Sequence, residues 1–234
     1  MGIENGNVRV RFAPSPTGHL HIGGLRTVIF NYLFARNCGG KFLLRIEDTD
    51  RERSLNEYTD SIFQVLKWMG INSDEPVIFQ SNRLEQYQEA TKKLIDDGKA
   101  YRCYCSTAEL EKKQEAAGQD YRYDKRCRDL KDAKPGPFVV RFKLPEKFGA
   151  VTFNDIVRGE ITVDLSQLDD FIIIRSDGWP VYNFAVVVDD EFMRISHVIR
   201  GEEHISNTPK QILLYQAFGY KIPYFAHIPL ILGS

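Results

Sequence analysis

The stretch 11–27, RFAPSPTGHLHIGGLRT, restricts the folds open to this chain more than any other. It begins at the end of an alternating apolar run, Val8, Val10 and Phe12, which has the period of a half-buried strand. It closes on Leu25, Val28, Ile29, Tyr32 and Leu33, which recur at helical spacing. Between them lie Pro14, Pro16, Gly18, His19, His21, Gly23 and Gly24. A strand, a glycine-rich turn and a helix make an anion site. Glycine lets the backbone come close, and the first free N–H groups of the helix point at the ligand. The lysine-ending phosphate loop and the dinucleotide glycine fingerprint are both absent, so the turn's polar chemistry falls to the histidines. A histidine cap with a tight turn is the plainer reading of an isolated His-x-Gly-Gly, but the whole string between strand and helix favours a ligand site.

The pattern continues as strand and helix in alternation. Gly39-Gly40 turns into a strand over 42–46. Ser54 and Glu57 have capping-box spacing ahead of a helix with Leu55, Tyr58, Ile62, Val65, Leu66 and Met69 on one face and Gly70 as its stop. A second helix carries Leu84, Tyr87, Leu94 and Ile95 and ends at Gly98. This order predicts an α/β fold with a parallel, Rossmann-like sheet. Near residue 100 the character changes: a short helix around 109–116, then strand-like runs at 138–144, 151–153, 160–164 and 171–175, read as a mostly β insertion. From Tyr182 the α/β style returns, with a strand ending at Arg200 and a helix in which Thr208 is the cap and Pro209 the first-turn proline. The nucleotide fold is therefore expected in two parts, 1–84 and 182–234, around an insertion at 85–181.

With 234 residues, no apolar run long enough for a membrane span and no signal-peptide core at its start, the chain reads as a cytoplasmic protein. The formal net charge of −1 gives no bulk sign of a nucleic-acid partner, although phosphate contacts need only local positive charge. The basic stretch Arg122, Lys125, Arg126, Arg128, Lys131 and Lys134 is interleaved with acids and reads as solvated surface.

Three further strings carry chemistry. Leu44-Arg45-Ile46-Glu47-Asp48-Thr49-Asp50-Arg51 puts dense charge at a strand's carboxyl end, where ligands of parallel sheets bind. Helix-dipole complementarity accounts for Asp48 and Asp50, less well for Glu47. Asp177-Gly178-Trp179-Pro180 is a turn leading to Tyr182, and Val198-Ile199-Arg200-Gly201-Glu202-Glu203-His204 follows a strand. Among the cysteines, Cys103, Cys105 and Cys127 lie around an apparent hairpin, and Cys38 reads as a small buried residue.

Taken in order, HIGG at 21–24, the complete RIEDTD at 45–50, Tyr182 and Arg200 make the chain resemble the glutamate-specific branch of class I aminoacyl-tRNA synthetases, the bacterial-type glutamyl-tRNA synthetases. The resemblance runs along essentially the whole chain. It implies ATP-dependent activation of L-glutamate and transfer to the terminal adenosine of tRNA(Glu), with Mg²⁺ accompanying ATP. Arg11, Ala13, Ser15, Glu47, Tyr182 and Arg200 would hold glutamate, Glu47 on its α-ammonium and Arg11 with Arg200 on its γ-carboxylate. His21, with His19 and Gly23, would support the reacting phosphate, and Glu203, His204 and Leu232 would line the ATP side. The insertion would meet the acceptor end of tRNA. A structural Zn²⁺ on Cys103, Cys105 and Cys127 is also implied, with Asp129 where many members have histidine, or Tyr123 as in a tRNA-modifying paralogue. A monomer is expected. A Lys-x-Ser-Lys loop would follow a segment like Pro229–Gly233, so the chain reads as an N-terminal part that binds glutamate or ATP and charges tRNA poorly. The rivals are the paralogue that glutamylates a queuosine-modified anticodon nucleotide of tRNA(Asp), and a non-catalytic synthetase-like RNA-binding protein.

Overall fold

β1 (Arg9–Phe12) and β2 (Lys41–Ile46) are parallel neighbours with Arg11 opposite Leu43, and α1 (Ile22–Asn37) carries the chain between them. In this computed structural model, residues 8–50, 54–118, 122–130, 134–145, 149–166 and 168–230 are described, the side chain of Ala117 excepted. After α2 (Asn56–Trp68), the two-residue β3 (Ile78–Phe79) joins the far edge of β2, again in parallel. The chain then runs through α3 (Leu84–Asp96), β4 (Ala100–Cys103), α4 (Thr107–Ala117), β5 (Val139–Phe142), the hairpin β6 (Ala150–Asp155) and β7 (Gly159–Asp164), and β8 (Ile172–Ile174). It returns by α5 (Tyr182–Phe192), β9 (His197–Gly201), α6 (Thr208–Phe218) and β10 (Tyr224–Ile228).

β9 meets β1 at one end rather than along a ladder. Ser196 N–H donates to the Arg9 carbonyl at 3.0 Å, and Arg9 N–H donates to Ser196 Oγ at 2.8 Å. The first crossovers thus build from β1 toward β2 and β3, and the returning strands build from β9 toward β10. The direction of winding reverses between β1 and β9. A reversal of this kind leaves a crevice at the strand carboxyl ends, which is where ligands bind in open parallel sheets.

The intervening stretch contributes to two sheets. β4, β5 and β8 form an antiparallel sheet of their own, whereas the β6–β7 hairpin joins β10, Asp155 standing opposite Phe225 in parallel register. The hydrophobic interior has two main bodies. One packs Val10, Phe42, Leu44 and Ile46 against Val28, Ile62 and Leu66 of the first helices. The other gathers Tyr87, Phe142, Ile173, Phe184, Leu214 and Phe225.

Several sequence expectations change in detail. Ser54 and Glu57 do not close a capping box. Leu55 is the N-cap, its N–H donates to the Pro16 carbonyl at 3.2 Å, and the Ser54 hydroxyl is buried without a partner. The box that does form is Ser106 with Glu109 at the start of α4. α6 begins after Asn207, so Thr208 is its first helical residue and its hydroxyl serves other groups. On α1 the expected apolar stripe is displaced: Ile29 and Leu33 are exposed, and Asn31 is fully buried. Its Nδ2 donates to the carbonyls of Thr27 and, across to β9, Ile199. Arg128 of the basic stretch is no solvated charge. It pairs with buried Asp170 at 3.1 Å and donates to the Leu144 carbonyl; Lys131 lies outside the described residues.

Candidate active site

The turn after β1 is held against β2 by its own backbone. Glu47 N–H donates to the Pro14 carbonyl at 2.9 Å, which brings the end of β2 beside the start of the glycine-rich turn. His21 then caps α1: its backbone is extended and its Nδ1 accepts the Gly23 N–H at 3.2 Å. His19 packs edge-on against Tyr58, ring centroids 5.1 Å apart. Tyr182 starts α5 two residues beyond the Asp177–Trp179 turn, in which Gly178 takes a φ of +84°. Arg200 is the penultimate residue of β9.

These elements enclose a cavity of about 350 Å³ at the point where the sheet reverses direction. Its wall includes Arg11, Ala13, Ser15, His19, His21, Gly23, Glu47, Tyr182, Arg200, Glu203 and His204, every described residue that the sequence nominated for amino-acid or nucleotide binding. Leu232 lies outside the described residues. Asp48 and Asp50 take no part. The Asp48 carboxylate accepts from Ser81 N–H and Oγ, at 2.8 and 2.6 Å, and α2 starts too late for either acid to sit at its dipole.

Behind one wall stands a buried charge network that sequence patterns did not identify. Arg45, fully buried, donates to Asp190 Oδ1 at 2.6 Å and to Glu47 Oε1 at 3.1 Å. Asp190 also accepts from Arg11 Nε at 3.1 Å. Burial pushes the Glu47 carboxyl up from its ordinary range, with Arg45 and Arg11 opposing, and works against ionised Asp190, which the same two arginines hold below its ordinary range. Next door, Asp189 accepts from Arg83, Gln80 and Tyr87 at 2.7, 2.7 and 2.8 Å. The signal was present but ambiguous: Asp189-Asp190 at the end of an apolar helix reads equally as its exposed end.

Arg200 is built differently. Its Nε donates to His227 Nε2 at 3.2 Å and its Nη2 to Thr208 Oγ1 at 2.8 Å, while Nη1 is buried with no partner. It makes no ion pair among the described residues. Burial, reinforced by Arg11, lowers its pKa from the ordinary guanidinium value. The wall therefore presents a desolvated cation lacking a counter-ion, which an anionic ligand group can supply. Burial and the same two arginines push His204 down to about 4, so its ring is neutral near pH 7. Tyr182 Oη lies 3.3 Å from His204 Nδ1, and burial followed by Glu47 raises the phenol.

Residues 7–234 match the family model described as tRNA synthetases class I (E and Q), catalytic domain. The chain belongs to this family. It is 55% identical over 230 residues to a glutamate–tRNA ligase of Thermodesulfovibrio yellowstonii, covering 97% of this chain and 49% of that one. With the glutamate–tRNA ligase of a Hydrogenobaculum species it shares 55% over 237 residues, 97% of this chain and 51% of the other. The crystal structure of a glutamate tRNA ligase from Elizabethkingia meningosepticum in complex with its amino acid aligns with a TM-score of 0.89 at 39% identity, over 97% of this chain and 50% of that one. The chain spans about half the length of the curated relatives it matches.

Away from this class I site, the sulfurs of Cys103, Cys105 and Cys127 lie within 4.8 Å of one another. The Cys105–Cys127 separation of 3.7 Å approaches the ~3.8 Å edge of a tetrahedron with Zn–S arms of ~2.3 Å. Tyr123 Oη stands 3.1 Å from Cys103 Sγ and 3.8 Å from Cys105 Sγ. Asp129, the other nominated fourth ligand, is not in the group: its carboxylate is 84% exposed and pairs with Lys143 at 3.1 Å. Three thiols thus stand together where they could hold a metal, with the Tyr123 phenol beside two of them.

Proposed function

We propose that the protein containing this chain is a glutamate–tRNA ligase and that the cavity between β1 and β9 is where L-glutamate reacts with ATP. The observation that carries this is Arg200, a buried cation in the cavity wall with Nη1 unpartnered and no carboxylate among the described residues paired to it. In this reading Arg200, with Arg11, receives the γ-carboxylate in charge-assisted bonds. Glu47, also in the cavity wall, receives the α-ammonium, and Tyr182, Ala13 and Ser15 shape the space around the substrate. Glutamine brings no negative charge to Arg200, so the buried cation stays uncompensated, a penalty of about 2–5 kcal/mol.

The glutamate α-carboxylate oxygen attacks the ATP α-phosphorus, the bond to the β-phosphate oxygen breaks, and pyrophosphate leaves. Glutamyl-adenylate then passes its acyl group to a ribose hydroxyl of the terminal tRNA adenosine. No protein group is acylated, so the residues act by positioning and charge stabilisation. His21, His19 and the amides around Gly23 face the reacting phosphate. Glu203 and His204 border the nucleotide. Mg²⁺ would arrive on the triphosphate and screen its charge; the only group of three or more Cys, His, Asp or Glu placed for a metal among the described residues is the cysteine cluster.

Division into a catalytic part, 1–84 with 182–234, and an inserted acceptor-end-binding part, 85–181, belongs to the same proposal. It is supported by the separate β4–β5–β8 sheet and the small core of Tyr101, Cys103, Tyr123 and Cys127, while the β6–β7 hairpin within 85–181 lies on β10 of the catalytic part. So does Zn²⁺ on Cys103, Cys105, Cys127 and Tyr123. No helix among the described residues is long and apolar enough to cross a membrane, in keeping with work in the cytoplasm on tRNA(Glu). Calorimetry with glutamate, glutamine and ATP, and amino-acid-dependent ATP–pyrophosphate exchange with and without tRNA(Glu), test the reading. Glutamate is expected to bind far more tightly than glutamine; equal binding refutes it. Full exchange without tRNA turns the reading toward the queuosine-directed paralogue.

A further inference from the structure

Asp155, His227 and Arg200 form a buried chain across three adjacent strands. Asp155 is the last residue of β6, His227 lies in β10 and Arg200 in β9. The first two side chains have no exposure at all, and Arg200 is buried. Asp155 Oδ2 faces His227 Nδ1 at 2.6 Å. Oδ1 accepts the backbone N–H groups of Val157 and Arg158 at 3.0 and 2.9 Å, and the His227 N–H reaches both oxygens at 3.2 and 3.1 Å. Burial works against the anion, but His227 and these amides outweigh it and hold the Asp155 carboxyl below its ordinary range. Burial and the charge of Arg200 lower the imidazole in turn, and the Arg200 Nε–H aimed at Nε2 calls for an unprotonated nitrogen there.

An ionised carboxylate at Nδ1 requires the proton to sit there, which leaves Nε2 as an acceptor. Arg200 Nε–H donates to it. Thr208 Oγ1 donates to the His204 carbonyl at 3.2 Å and accepts from Arg200 Nη2. Two guanidinium nitrogens are thus fixed from behind, and Nη1 is left on a side chain that forms part of the cavity wall.

We propose that Asp155 and His227 are positioning residues: Asp155 fixes the Nδ1–H tautomer of His227, whose Nε2 lone pair sets the Arg200 guanidinium for the substrate's side-chain carboxylate. The last step rests on the carboxylate role given to Arg200 above; the tautomer does not. Asp155→Asn removes the anion and allows an amide N–H to face Nδ1, which drives the proton to Nε2. Two donors, Nε2–H and Arg200 Nε–H, then oppose each other; Nε2–H turns to Thr208 Oγ1, 3.2 Å away, and Arg200 Nε loses its acceptor. His227→Phe removes the acceptor, and His227→Gln restores an oxygen near the same point.

Long-range ¹H–¹⁵N spectra of the labelled chain read the tautomer, and calorimetry reads ligand affinity. The wild type is expected to show Nδ1–H, and Asp155→Asn to lose it. Glutamate affinity is expected to fall about tenfold in Asp155→Asn and His227→Phe and to recover largely in His227→Gln, with ATP affinity within about twofold of wild type. An Nε2–H tautomer in the wild type overturns the proposal, as do His227→Phe and Asp155→Asn variants that bind glutamate like the wild type. Should Asp155→Asn not fold, the wild-type tautomer and the Phe–Gln pair at His227 decide. Arg200→Lys separates the two readings: if it binds glutamate as the wild type does, the carboxylate role fails, while the spectra still judge the tautomer.

Discussion

Asp190 illustrates how one side chain sets the charges of a cavity wall that it does not itself line. It is nearly inaccessible and accepts from Arg11 and Arg45 together. Its replacement by Asn leaves two buried guanidinium groups short of an anion, and the expected loss is about 3–5 kcal/mol of stability, read from urea unfolding. A second residue-scale test concerns acid. Glu75 receives both guanidinium nitrogens of Arg9 at 2.8 Å and Lys41 at 2.8 Å, and these bonds bring its pKa from 4.5 down to about 2. A carboxyl lowered on folding contributes stability that is complete above its unfolded pKa and lost as pH falls toward the folded one. Glu75→Gln is therefore expected to flatten the decline in unfolding free energy between pH 4.5 and 2. An unchanged slope across that window rules the ion pairs out as its source.

Among the elements, the two helix starts make a paired experiment. Ser106 accepts the Glu109 N–H and the Glu109 carboxylate reaches back to the Ser106 N–H, so Ser106→Ala is expected to cost about 1 kcal/mol. Ser54 has the same sequence signature but a buried, unpartnered hydroxyl, and Ser54→Ala is expected to change stability by less than about 0.5 kcal/mol or to raise it slightly. Thermal unfolding of the two variants side by side separates the real cap from the apparent one. Gly40 is an element-scale constraint of another kind. A Cβ there would lie 2.3 Å from the Val8 carbonyl oxygen, so Gly40→Ala must part β1 from the start of β2, at a cost of about 1–3 kcal/mol. The sequence placed β1, β2, α2 and α3 well because their apolar periods are strong, but it named no element at β4, α5 or β10. Strand β3, with only two residues, offers no period to read. The stripe on α1 failed because Asn31 is tied to β9, a partner far away in sequence.

For the molecule as a whole, the small core around Cys103, Tyr123 and Cys127 is distinct from the two main bodies. In the proposed zinc-bound, glutamate-binding form, chelation is expected to raise hydrogen exchange in β4 and the adjoining cysteine segment while glutamate binding at the cavity between β1 and β9 persists. Simultaneous loss of both would mean that the insertion and the nucleotide fold are one cooperative unit. Metal analysis of protein prepared without chelator is the companion measurement. What the sequence determined by itself was local: a strand, a glycine turn and a helix at 11–27, the charged end of β2, the alternation that requires a parallel sheet, and candidate amino-acid and nucleotide residues that all line one cavity where described. The elements follow from backbone sterics and short-range periodicity, which neighbouring residues specify, whereas the candidate residues came from the resemblance of four strings to a known family. Only the tertiary structure decided that Asp190 joins Arg11 to Arg45, that the β6–β7 hairpin lies on β10, and that Tyr123 rather than Asp129 stands by the thiols. A buried charge takes its partner from whatever element the fold packs against it, and that choice is made by contacts between residues distant along the chain.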